Sequence, residues 1–193
     1  MARNGKYAEG RERRPPREFS VVVIVAFAIM GLATLFQIIA LISDSWVNTV
    51  TDADGTVGSA GLWRTCADYA GIDSCRGFVW SDNQVSHWFR TVQTLEVIGF
   101  LFGAVALFLF ALYHMVEMCM DNRVLKLSAI GLLMLAFLLV FCGTIVVASL
   151  KDVQKAIELP KTEAVVSWGF GLSLTASILY LAGGVVVAIS PQP

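Results

Sequence analysis

The apolar positions of this chain are gathered into four long blocks, residues 19–42, 95–118, 127–150 and 164–189, with polar stretches between them. At a rise of ~1.5 Å per residue each block is long enough to cross a hydrocarbon core, which takes roughly 20 residues. Backbone groups in lipid have no water to pair with, so each block predicts a helix, and four such helices pack as one bundle. The first block is longer than the apolar core of a cleaved signal, and residues 37–43 offer no obvious small-x-small cleavage site. It reads as a retained span.

Composition agrees with the pattern. Hydrophobic residues make up 56% of the chain and charged residues 15%, with a mean hydropathy of +0.70, well above that of a soluble domain. The polar segments are then a tail (1–18), a long loop (43–94), a short loop (119–126), a second loop (151–163) and a brief C-terminal stretch (190–193).

Charge orients these segments. Arg3, Lys6, Arg11, Arg13, Arg14 and Arg17 precede the first span, and Arg123 and Lys126 lie in the short loop. By the positive-inside rule both termini are expected in the cytoplasm, with residues 43–94 and 151–163 outside, where cysteines oxidise. The tail is broken by Pro15-Pro16 and diluted by Glu9, Glu12 and Glu18. It reads as a topology signal rather than a lipid-binding patch.

The long loop holds short runs of β-branched and aromatic residues, Trp46-Val47, Thr49-Val50-Thr51 and Phe78-Val79-Trp80. Turn-forming stretches such as Asp52-Ala53-Asp54-Gly55 separate them, which predicts a small antiparallel sheet. A bond between Cys66 and Cys75 would close a short loop and add roughly 2 to 3 kcal/mol in the chain-entropy model.

Trp46, then Gly61-Leu62-Trp63, Cys66, Cys75 and Arg90, in this order and spacing, resemble the outer-loop signature of the claudin superfamily. That superfamily takes in claudins, epithelial membrane proteins, peripheral myelin protein and calcium-channel gamma subunits. The resemblance implies an all-α membrane four-helix bundle, left-handed, with a small extracellular antiparallel β-sheet to which the second outer loop adds a strand. It implies that the Cys66–Cys75 disulfide joins neighbouring strands and that Trp46 and Trp63 lie near the outer membrane surface. On this reading the cysteines and tryptophans hold the fold, and partner-facing or charge-selective roles fall to Asp68, Tyr69, Asp73 and Arg76.

Branch-level features diverge. Gly61-Leu62-Trp63-Arg64-Thr65-Cys66 is similar to the gamma-subunit form of the motif, implying an auxiliary subunit of a channel or receptor. Gln37-Ile38-Ile39-Ala40-Leu41 and Ser167-Trp168-Gly169-Phe170-Gly171 resemble the PERP-like junctional proteins, implying adhesion or a paracellular barrier at cell junctions of the plasma membrane. The end at Ser190-Pro191-Gln192-Pro193 departs from the Tyr-Val type tail of scaffold-binding claudins, so direct PDZ docking is not expected. Asn48 and Asn83 both fail as glycosylation sequons, a departure from the myelin and epithelial branch.

The long loop carries Asp44, Asp52, Asp54, Asp68, Asp73 and Asp82 against Arg64, Arg76 and Arg90, an acidic excess that would attract cations in a paracellular path. Within the spans, Glu96 is expected at the outer interface, within reach of water or Arg90, while His114 and Glu117 are expected to pair near the inner end. Gly99-x-x-x-Gly103, Gly169, Gly171, Ser173 and Ala182-Gly183-Gly184 let helices approach closely, more for the bundle itself than for a second copy. Lateral homo- or hetero-oligomers with claudin-like or other membrane proteins remain an expectation of the resemblance. Cys119 stands where juxtamembrane cysteines are S-palmitoylated, and Cys142 reads as a small packing residue. With no partnered nucleophile, phosphate loop or ligand cluster, neither catalysis, cofactor, metal nor nucleic acid is expected; the bilayer is the first partner.

Overall fold

The computed structural model describes residues 20–51, 55–69, 72–77, 87–116, 122–156 and 162–190. Its helices are α1 (Val21–Ile42), α2 (His87–Met115), α3 (Arg123–Ala156) and α4 (Trp168–Ile189), and its strands are β1 (Val47–Thr51), β2 (Gly55–Ala60), β3 (Arg64–Tyr69), β4 (Ile72–Gly77) and β5 (Thr162–Val166). All four helices are long and apolar enough to cross a bilayer, so the chain is a multi-pass membrane protein with a five-stranded sheet at one end of the bundle.

Two helices overrun the hydrocarbon. With 29 residues α2 is about 43 Å long, and with 34 residues α3 is about 51 Å, against a core of about 30 Å. Hydropathy places the start of the second span at residue 95, yet the helix begins at His87. The additional two turns are polar on one side but aim Val92 (0% exposed) and Gln93 (4%) inward. At the fourth span the discrepancy runs the other way. Residues 164–166 belong to β5, and α4 starts only at Trp168. A short apolar run with paired valines serves a strand as well as a helix, and periodicity alone cannot separate the two.

The sheet order is β4-β3-β2-β1-β5, antiparallel at every pairing. Thus the second loop does add a strand, on the far side of β1 from the hairpins. Cys66 and Cys75 stand directly opposite each other in β3 and β4 and are joined by a disulfide.

In the bundle α2 packs chiefly on α3 and α1 on α4, with α3 and α4 closing the two pairs together. The interior runs from Val23, Ala26, Met30 and Ala33 through Ala106, Phe110 and Tyr180 to Leu133, Ala136 and Val140. Lipid is as apolar as these side chains, so close packing rather than water exclusion must hold the helices together, and small residues at contacts serve that end. Gly99 abuts Val140 of α3, Gly103 the ring of Tyr180, Gly183 the Met30 side chain and Gly184 that of Met134; Gly171 faces open space. All but the last therefore seat the bundle's own helices.

Cys142 corrects an expectation: it is exposed on the outer face of α3 rather than packed inside. An apolar surround in lipid places no premium on burying a small apolar residue. Cys119 and Glu117 lie outside the described residues.

Gly103→Ala should lower the thermal unfolding midpoint of the detergent-solubilised chain, at a cost of about 1 to 3 kcal/mol, because the added methyl falls on the buried Tyr180 ring. Gly171→Ala, with nothing near its Cβ, should be neutral or slightly stabilising through helix propensity.

Candidate functional site

The sheet is too small to enclose a core of its own, and it borrows one from the helix ends. Trp46, 2% exposed, and Leu62, 1% exposed, form a cluster with Ala40 and Leu41 of α1, Val92 of α2 and Val147 of α3. The indole N–H of Trp46 donates to the Ala40 carbonyl at 2.7 Å. Its backbone N–H donates to Ala60 at 2.9 Å, and its carbonyl accepts from Ser167 at 2.9 Å. One residue thus ties α1 to β2 and to the link between β5 and α4. A buried indole needs such an acceptor, and a carbonyl in the last turn of a helix provides one, here while also accepting from the Ser43 N–H at 3.2 Å.

Gly61 lets this junction close. A Cβ there would lie 2.6 Å from the Asp44 Cα and still nearer the Ser43 carbonyl oxygen. The Gly61 N–H donates to Arg64 at 2.8 Å, forming the turn that points Leu62 into the cluster. The Leu62 carbonyl, buried by that turn, is satisfied by the Gln93 side-chain amide at 2.5 Å. Trp63 points the other way and is 36% exposed, so the two signature tryptophans separate into a buried anchor and a surface ring. Arg64 makes a two-point contact with Asp44, Nη2 to Oδ2 at 2.7 Å and Nε to Oδ1 at 3.0 Å, bridging the start of β3 to the end of α1. Being exposed, the pair contributes little energy, about 0 to 1 kcal/mol. Arg90 sits half-buried in the first turn of α2.

Beyond this collar stands the β3–β4 hairpin, with β4 at the edge of the sheet. Its register sets Thr65 against Arg76, Asp68 against Asp73 and Tyr69 against Ile72. The four candidate partner-facing residues therefore share one hairpin, with the two aspartates on a single rung. Ser74, Cys75, Arg76 and Gly77 are exposed. Asp52, Asp54 and Asp82 of the acidic set lie outside the described residues.

Glu96 overturns its expected place at the interface. It is 0% exposed, and its Oε2 accepts from the Gln37 amide of α1 at 2.6 Å and from the Ser173 hydroxyl of α4 at 2.8 Å. On the other side its Oε1 faces Gly143 of α3, where a Cβ would lie only 2.6 Å away. His114 is likewise buried, 4% exposed, with ring contacts to Phe110 at 4.6 Å, Tyr113 at 4.9 Å and Phe27 at 6.4 Å. Gln93 escaped sequence reasoning altogether. Its signal was a lone amide near a predicted span end, as was that of Gln37 within one; polar groups in such places mark interior contacts. Among the described residues no three His, Cys, Asp or Glu side chains gather as metal ligands.

A family model described as the PMP-22/EMP/MP20/Claudin family matches residues 19–187. No curated protein matches the chain.

The collar should be sensitive where it is buried and tolerant where it is not. Leu62→Ala is expected to cost about 2 to 5 kcal/mol, whereas Trp63→Ala should stay within about 0.5 kcal/mol, both measured by thermal or denaturant unfolding in micelles.

Proposed function

This chain belongs to the PMP-22/EMP/MP20/Claudin family, and from that membership we propose that it is a non-catalytic protein of cell–cell junctions. In this role it uses its sheet for adhesion, for sealing the space between cells or for organising the junction. It resides in the plasma membrane with both termini in the cytoplasm and the sheet outside. The basic tail supports this orientation, as does the Cys66–Cys75 disulfide, which belongs to an oxidising compartment.

The observation that carries the reading is the division of the sheet end into two parts. Trp46, Gly61 and Leu62 are consumed in anchoring the sheet to the helices, while the stapled β3–β4 hairpin forms a free edge. A rigid, disulfide-bridged edge standing off a membrane suits contact with a neighbouring chain, because edge strands and the side chains they carry recognise partners at low ordering cost. Asp68 and Asp73, paired on one rung, would bias such a contact toward cations. The partners are lateral copies of this chain or related membrane proteins.

A second reading, an auxiliary subunit of a channel or receptor, is favoured by the segment from Gly61 to Cys66, in which Arg64 is fastened to Asp44. On that reading the same hairpin docks on a channel.

A tagged chain should concentrate where two expressing cells touch; a uniform membrane distribution, with recovery of a channel from detergent extracts, would support the auxiliary-subunit reading instead. In monolayers, Asp68→Asn and Asp73→Asn should reduce cation preference in dilution-potential measurements, and an unchanged preference would remove the paracellular-path reading.

A further inference from the structure

The buried Glu96 cluster remains unexplained by adhesion, and its position relative to the collar gives it a role. All four helices meet at this carboxylate: Gln37 from α1 and Ser173 from α4 donate to it, and Gly143 of α3 leaves room for it. In each helix the residue one turn nearer the sheet is an anchor of the sheet. Three residues beyond Gln37 is Ala40, whose carbonyl holds the Trp46 indole. Three residues before Glu96 is Gln93, whose amide holds the Leu62 carbonyl. Four residues beyond Gly143 is Val147, packed in the cluster of Trp46 and Leu62. Four residues before Ser173 is Gly169, whose N–H donates to the Ser45 carbonyl at 3.0 Å and where an added Cβ would fall 2.7 Å from the Ser43 hydroxyl.

Residues three or four apart share a helix face. The carboxylate contacts and the sheet anchors are therefore successive layers of one column, repeated around the bundle. Each anchor's place depends on the rotation and height of its own helix, which the layer one turn below shares. Close packing of small residues sets how near the helices approach, and directional hydrogen bonds between helices add a constraint on rotation and height.

We propose that Glu96 is a positioning residue: its hydrogen bonds form an intramembrane latch that sets the seating of the sheet, and hence the stance of the β3–β4 hairpin. The latch works through acceptor geometry, so an amide of the same shape can replace the carboxylate. The role is independent of which partner the hairpin meets.

Hydrogen–deuterium exchange on the full chain in lipid nanodiscs tests this. Glu96→Ala should raise amide exchange in residues 46–51, 55–62 and 162–169 by about tenfold, the scale expected when a local opening loses one or two hydrogen bonds. Exchange in residues 129–140, deeper in α3, should stay unchanged. Glu96→Gln should restore near wild-type exchange at the sheet. Should Glu96→Ala fail to fold, Gln37→Leu, which removes one donor and keeps the carboxylate, should loosen the same segments. Unchanged exchange at the sheet in a folded Glu96→Ala or Gln37→Leu chain overturns the proposal. So does Glu96→Gln loosening the sheet as much as Glu96→Ala, or a rise in residues 129–140 equal to that at the sheet.

Discussion

A bilayer interior offers no water, so every polar group that enters it must find its partner within the chain. That constraint makes each of the four spans a helix, with all backbone pairing internal to it. It confines the strands to the end of the bundle, where free edges can be hydrated. It also governs the few polar side chains carried inside. Gln37, Glu96 and Ser173 come from three different helices and are useful to one another only because none has solvent as an alternative. In water the same contacts would compete with hydration and specify little.

The sheet depends on the bundle in a more particular way. Five short strands in an open sheet, edged by β4 and β5, cannot exclude enough apolar surface to stand alone. The sheet borrows the sheet-side turns of α1, α2 and α3, through Trp46 and Leu62. Joining Cys66 to Cys75 on adjacent strands then limits the sheet's freedom at the other end. Burial near the membrane and a covalent bridge away from it are complementary, because the bridge stabilises where no core is available. Gly61 is the hinge of this arrangement: any side chain there would push the turn off the end of α1 and lift Leu62 out of its cluster.

Four spans, an antiparallel sheet and a stapled pair of cysteines were legible in the sequence because they follow from block length, turn spacing and a fixed order of residues. Glu96 was misplaced for a physical reason. Hydropathy locates the boundary of the lipid, not the boundary of a helix, and α2 continues above the lipid to His87. Counted from residue 95, Glu96 belongs to a first turn beside solvent; counted from His87 it lies nine residues in, facing α1 and α4. The same confusion of lipid boundary with helix boundary assigned residues 164–166 to a span although they pair with β1. Spacing could mark both Trp46 and Trp63 but could not say which indole was buried. That depends on the turn at Gly61, which sends consecutive side chains to opposite sides.

These details bear on what a family signature records. In this chain Trp46, Gly61 and Leu62 fasten the small sheet to the four-helix bundle, and their described contacts are spent within the chain. They identify the architecture and leave little surface with which to choose a partner. Under the proposed function, choice of partner falls instead to the β3–β4 hairpin, whose strands carry Asp68, Asp73 and Arg76 outside that fastening cluster. That hairpin is joined by a backbone register and a disulfide, neither of which requires a particular side chain at those positions. The buried part of the collar beneath it is less tolerant, because the contacts of Trp46, Gly61 and Leu62 each join two elements.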